Sequence, residues 1–317
     1  MNETMKEVDR VEILTLQDNY IDIVSQDNNE VIQRASPVRD GVVKNSILAE
    51  HGFSSLVTVV RDKKRRSILF DFGFSEDGAA RNAGLLQADL SSVEAAALSH
   101  GHMDHTGGMA ALLKKVGKKD LDLVVHPEVF RAGRLKKAMP GIQVAFPPFT
   151  KEMVRQAGAV PVEADTPYPL LDGEIFFLGG IPRLTDFETG APHFYYKEAG
   201  TEHWDDIPDD SAIAAHVKGR GLVVLSGCAH AGIINTVNYA RSVAGTEKVF
   251  AVMGGFHLGG PDMAPVIEPT VRALKGIDPT YVIPTHCTGR EAVLAVEQAL
   301  PDRFILNMSG TKLTFSA

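Results

Sequence analysis

Ser99-His100-Gly101-His102-Met103-Asp104-His105-Thr106-Gly107-Gly108 places three histidines and one aspartate within six residues. The segment ahead of it, Glu94 to Leu98 (EAAAL), is short and apolar, and its position before a ligand-bearing loop favours a buried strand. The stretch behind it, Gly107 to Lys115, reads as a short helix. In a loop after a strand, His100 and His102 can point the same way, with Asp104 and His105 one step further on. Imidazole and carboxylate suit Zn, Mn or Fe, and the glycines let the backbone turn tightly around ions. Histidine clusters also arise as surface accidents or adventitious sites. Placement between an apolar strand and a Gly-Gly helix start argues against that here.

Strand-like and helix-like segments alternate on either side. Val11 to Thr15, Ser55 to Val60 and Ser67 to Phe70 read as strands. The last two are joined by Arg61-Asp62-Lys63-Lys64-Arg65-Arg66, taken as a solvated hairpin turn. Leu121 to Val125 is predicted as a strand and Pro127 to Lys137 as a helix. Glu174 to Leu178 is a strand, and Gly179 to Asp210 a long loop whose apolar and aromatic content favours an ordered, functional segment. Strands at Ala212 to His216 and Leu222 to Leu225 follow, then a helix at Gly232 to Val243 and a strand at Val249 to Met253. A helix at Pro265 to Lys275, a strand at Tyr281 to Ile283 and a helix at Arg290 to Ala299 complete the pattern. No linker or solenoid repeat is visible, so residues 1–317 read as one layered α/β unit with its long loop near 179–210.

The chain has 317 residues, 44% hydrophobic, with 32 basic against 40 acidic residues and a net charge of -8. That balance argues against non-specific binding to nucleic acid or anionic membrane, which need a positive field. The two cysteines, Cys228 and Cys287, are too few for a disulfide framework and fit a reducing compartment. Met1 to Arg10 is charged and lacks the apolar core of a secretory signal. The expectation is a cytoplasmic protein, with self-association left open.

Other histidines and polar groups fall at strand ends. His257, in Gly254-Gly255-Phe256-His257-Leu258, reads as a substrate-binding or proton-donating residue, with a ligand or a satisfied core histidine as alternatives. Thr288 and Gly289, just ahead of the last helix, offer a hydroxyl and an N–H at a helix start, where anions are favoured. Arg183 is a second anion candidate, balanced against a surface salt bridge. His51, His126, His193 and His203 have weaker claims. A Cys287–His nucleophile is the weakest reading.

The string at His100 to His105 resembles the HxHxDH signature of the metallo-β-lactamase superfamily. Leu69-Phe70-Asp71-Phe72-Gly73 is similar to that superfamily's Asp-Thr-Gly turn, with Phe72 in place of Thr. Leu225-Ser226-Gly227-Cys228-Ala229-His230, Gly254 to Leu258 and Pro284-Thr285-His286-Cys287-Thr288-Gly289, with Gly180-Ile181-Pro182-Arg183 and Asp186-Phe187-Glu188, look like one branch of it. That branch is labelled dihydropteroate-synthase-like, or 7,8-dihydropterin-6-methyl-4-(β-D-ribofuranosyl)-aminobenzene-5'-phosphate synthase.

The resemblance implies a four-layer αββα sandwich and two divalent ions, zinc first, with manganese or iron as alternatives. By it, His100 and His102 hold metal one, while Asp104, His105 and His286 hold metal two. His230 is taken as a further ligand, and Cys228 as a ligand or a small buried residue lining the site. The implied chemistry is hydrolysis of a small, anionic ester, lactone or phosphoester by a metal-activated hydroxide, with Asp104 and His257 as catalytic residues and Asp71 behind the ligands. The branch label implies a transferase instead, joining a dihydropterin to a ribofuranosyl-aminobenzene phosphate. A non-catalytic metal sensor is the third reading.

Overall fold

A computed structural model describes residues 4–44, 46–139 and 141–317, so Met1 to Glu3 of the charged N-terminal stretch lie outside the described residues. In chain order the first strands are β1 (Glu7–Val8), β2 (Arg10–Gln17), β3 (Ile32–Gln33), β4 (Val38–Arg39), β5 (Val42–Val43), β6 (Ser54–Arg61) and β7 (Lys64–Phe70). Helix α1 (Gly78–Leu85) leads to β8 (Val93–Ala97), α2 (Met103–Thr106), α3 (Met109–Val116) and β9 (Leu121–Val125). Next come β10 (Arg134–Met139), β11 (Ile142–Ala145), α4 (Lys151–Gln156), β12 (Ala159–Glu163), β13 (Tyr168–Leu170) and β14 (Ile175–Phe177). The rest is β15 (Phe194–Glu198), β16 (Thr201–Trp204), β17 (Ala212–Val217), β18 (Gly221–Ser226), α5 (Ile233–Ala244), β19 (Val249–Gly255), α6 (Ala264–Ile277), β20 (Tyr281–Thr285), α7 (Arg290–Ala299) and β21 (Lys312–Ser316).

Two large sheets face one another. One runs β12-β9-β8-β7-β6-β2-β21-β3, the other β13-β14-β17-β18-β19-β20 with β1 against β17. The period-two pattern explains why both faces are covered. In β8, Ala95 and Ala97 enter the core between the sheets, while Ala96 packs under the helices. In β6, Val57 and Val59 face inward and Leu56 outward. Ala80 of α1, Leu112 of α3 and Val154 of α4 cover the first sheet, and Val237 of α5, Leu274 of α6 and Val296 of α7 cover the second. The result is the expected αββα sandwich. No helix among the described residues is long and apolar enough to cross a membrane.

β7, β8 and β9 are parallel, as are β18, β19 and β20. Their carboxyl ends deliver Asp71, the His100–His105 loop, Cys228, His257 and His286 to one edge of the sandwich.

Three expectations are corrected. The Pro127 to Lys137 helix is instead a 3-10 turn over Pro127–Phe130 followed by strand β10. Gly133, at φ +72, reverses the chain between them. A Cβ there would lie 2.5 Å from Lys197 O, and β10 then pairs Arg134 with Tyr196. The loop from Gly179 to Asp210 contains β15 and β16, and with β10 and β11 these form a separate sheet in the order β11-β10-β15-β16. The basic hairpin turns only at Asp62 and Lys63, both at positive φ. Arg66 is not solvated but buried, ion-paired to Glu94 at 2.7 Å and Asp172 at 2.8 Å.

Candidate metal centre

Asp71 organises the first half of the site. It is fully buried and sits at φ +58. One carboxylate oxygen accepts the Ser99 N–H at 2.7 Å. The other accepts the Ser99 hydroxyl at 2.8 Å and lies 2.6 Å from His105 Nδ1. That contact turns His105 Nε2 inward, to 3.2 Å from Cys228 Sγ and 3.9 Å from Asp104 Oδ2. Burial works against charge on His105, but Asp71 and Asp104 outweigh it and raise its pKa to about 9. Asp104 Oδ2 lies 3.2 Å from His286 Nε2 and 3.4 Å from His51 Nε2. Despite its own burial, Asp104 is held well below the usual carboxylate range by His105, His286 and His51. His286 is fixed from behind: its N–H donates to Asp18 at 2.9 Å and its Nδ1 is 3.2 Å from Asn19 Oδ1.

The second half is built from neutral imidazoles. His100 Nε2 is 3.1 Å from His102 Nδ1 and 3.2 Å from His230 Nε2. Burial pushes His100 and His230 well below the ordinary histidine range and His102 down to about 3. The loop carrying His100 and His102 is pinned by Asp209, which accepts the Gly101 N–H at 2.8 Å and is ion-paired to Arg134 of β10. Arg134 also reaches Asp205 at 2.9 Å. His102 packs between Phe146, 4.8 Å away, and Phe194, stacked at 5.3 Å, so the β10–β11–β15–β16 sheet roofs the histidines.

These groups fit divalent metal. Donor atoms of His100, Cys228 and His230 lie within 4.8 Å of one another, as do those of Asp104, His105, Cys228 and His286. His102 joins the first group through His100. The buried His102 Nε2 and His286 Nε2 have no hydrogen-bond partner. His286 Nε2 is therefore near Asp104 but not aligned with it, as expected when both serve a third atom between them. Cys228 Sγ, expected either as a ligand or as a small buried residue lining the site, belongs to both groups. His51, given a weaker claim from the sequence, adjoins Asp104, and its ring lies 4.7 Å from that of His286, tilted by 35°; nothing in its local sequence signals this.

The anion candidates are engaged within the protein. The Thr288 hydroxyl is buried, accepting the Phe256 N–H and donating to Thr285 O. Gly289 lies against Gly259, and Arg183 donates to Asp206 O. A cavity of about 820 Å³ adjoins the histidines instead, lined by Lys136, Lys137, His193, Phe194, His257 and the Gly259–Met263 loop.

A buried carboxylate lies further out. Glu188 accepts the Ile234 and Asn235 N–H groups at the start of α5, and burial raises its pKa to about 7. The fold thus favours its protonated form, which adds stability that is full below about pH 4.5 and lost as pH rises through about 7. In Glu188→Gln, urea midpoints are expected to lose that decline between pH 5 and 7. An unchanged slope would show that Glu188 titrates normally.

The sandwich, with its His-rich loop at the carboxyl edge, defines the class, and the chain belongs to the metallo-β-lactamase superfamily. Residues 52–193 match the superfamily's profile. The chain is 32% identical over 258 residues to the 7,8-dihydropterin-6-methyl-4-(β-D-ribofuranosyl)-aminobenzene-5'-phosphate synthase of Methanocaldococcus jannaschii, covering 77% of this chain and 83% of that one. An uncharacterized protein of the same organism is 29% identical over 262 residues, covering 82% and 92% of the two chains. The crystal structure of Tm1679, a metal-dependent hydrolase of the β-lactamase superfamily, superposes with a TM-score of 0.71 at 24% identity, covering 97% of this chain and 100% of that one.

Proposed function

We propose that the chain is a metal-dependent hydrolase acting on a small ester, lactone or phosphoester. Cys228 Sγ carries this reading, because it is shared by two donor groups and so marks the place where two neighbouring cations would meet. His100, His102 and His230 would hold one ion, and Asp104, His105 and His286 the other. When bound, such ions supply a water of lowered pKa and positive charge for the developing oxyanion. The residues around them do the positioning. Asp71 fixes the ring of His105, Asp209 fixes the loop of His100 and His102, and Asp104 orients the nucleophile. Phe146 and Phe194 exclude water from the imidazoles. His257, on the cavity wall and 4.1 Å ring-to-ring from His230, would give a proton to a leaving group in this reading.

A transferase reading is favoured by one observation: the relative sharing 32% identity is named a synthase of a pterin-ribofuranosyl compound. A cavity of about 820 Å³ has room for such a multi-ring substrate.

Elemental analysis of protein purified without chelator, with turnover of phosphoesters, lactones and thioesters, tests the proposal. The expected result is about two divalent ions per chain, with hydrolysis lost to chelator and restored by zinc or manganese. Bound metal without hydrolysis of any class would transfer the site to the synthase reading. Full activity in the metal-free protein would overturn both.

A further inference from the structure

The chain's two cysteines meet at the site. Cys287 follows His286 at the end of β20, and its Sγ lies 3.6 Å from Cys228 O. Donor atoms of Cys228, His257 and Cys287 all lie within 4.8 Å of one another. The backbone is shaped for this approach. A Cβ on Gly255 would come 2.5 Å from Cys287 Sγ and 3.2 Å from Cys228 Cα, so only glycine lets the two loops close. Gly254 at φ +132 and His257 at φ +47 bend the same segment so that His257 turns toward them. The buried His257 Nδ1 has no hydrogen-bond partner.

We propose that Cys228, His257 and Cys287 form a third, thiolate-rich seat for a soft divalent ion, which shares Cys228 with the other donor groups. The proposal rests on the reading of the neighbouring cluster as a metal centre. A tetrahedral zinc with S and N ligands holds its donors about 3.5–3.8 Å apart, and this trio's donor atoms lie within 4.8 Å of one another. Two sulfurs and one imidazole select zinc, cobalt or cadmium over manganese or magnesium. The Asp104–His105–His286 group, with its carboxylate, is the harder seat. Because one thiolate serves both, the identity of the available ion decides which seat is filled. A soft ion in the third seat also takes up His257.

The test is cobalt(II) binding to the metal-free full chain, read by the thiolate-to-cobalt charge-transfer band. The wild type is expected to show the intensity of two thiolates, and Cys287→Ser about half of it. In the wild type alone, iodoacetamide should alkylate the partly buried Cys287 slowly with zinc bound and faster with manganese bound. This second measurement needs no variant. Cobalt bound with equal band intensity in both proteins, or no zinc protection of Cys287, would overturn the third seat and leave the di-metal reading standing. No cobalt bound at all would remove that reading and this one together.

Discussion

His102→Ala is expected to give a folded chain that has lost one divalent ion and its activity. The side chain is buried, packed between Phe146 and Phe194 with its Nε2 unpartnered. Deleting it leaves a cavity under the roof at a cost of about 2–3 kcal/mol, small enough for the two-layer core to tolerate. The loss of a direct ligand should exceed the 10–100-fold weakening typical of outer-shell changes, so metal affinity is expected to fall by more than about 100-fold. Circular dichroism, urea unfolding and elemental analysis together separate the two effects. A variant that keeps both its ions and its turnover would remove His102 from the site.

Asp71→Asn is the more telling variant, because Asp71 touches neither cavity nor solvent. An amide keeps the shape but loses the charge facing His105 and turns one acceptor into a donor. The His105 ring is then free to turn, and metal affinity is expected to drop about 10–100-fold. In the metal-free protein a pH signature accompanies this. The pKa of His105 is raised to about 9 in the fold, where burial is outweighed by Asp71 and Asp104. Its contribution to stability is therefore full below about pH 6.5 and is lost as pH rises through about 9. The wild-type apo protein should lose on the order of 1–3 kcal/mol across that window, and Asp71→Asn, which keeps only the Asp104 part of the effect, clearly less. Parallel stability curves for the two proteins would sink the idea that this ion pair holds the ligand.

The site's skeleton was legible because its residues are local: three histidines and Asp104 within one loop, on a strand whose alternating alanines fix its faces. The roof was not. Arg134-Leu135-Lys136-Lys137-Ala138-Met139 is composed of good helix formers, and it becomes a strand by pairing with Ile142 to Ala145 on one side and with Phe194 to Tyr196, about sixty residues on, on the other. The standing of Cys228 was equally non-local. A cysteine after a strand reads as a small buried residue until β18 is set beside β19 and β20, and His105 is found 3.2 Å away. One partner of Thr288 was non-local in the same way: its hydroxyl accepts the Phe256 N–H and donates to Thr285 O.

The Arg134–Asp209–Gly101 chain of contacts ties the roof to the loop beneath it. A lid hinged there would have to break a buried ion pair and release the backbone that aims His100 and His102 each time it lifted. His193 and Asp262, both lining the cavity, meet at 3.1 Å through exposed side chains. Exchange of either residue is expected to leave the donor groups at the cavity floor in place.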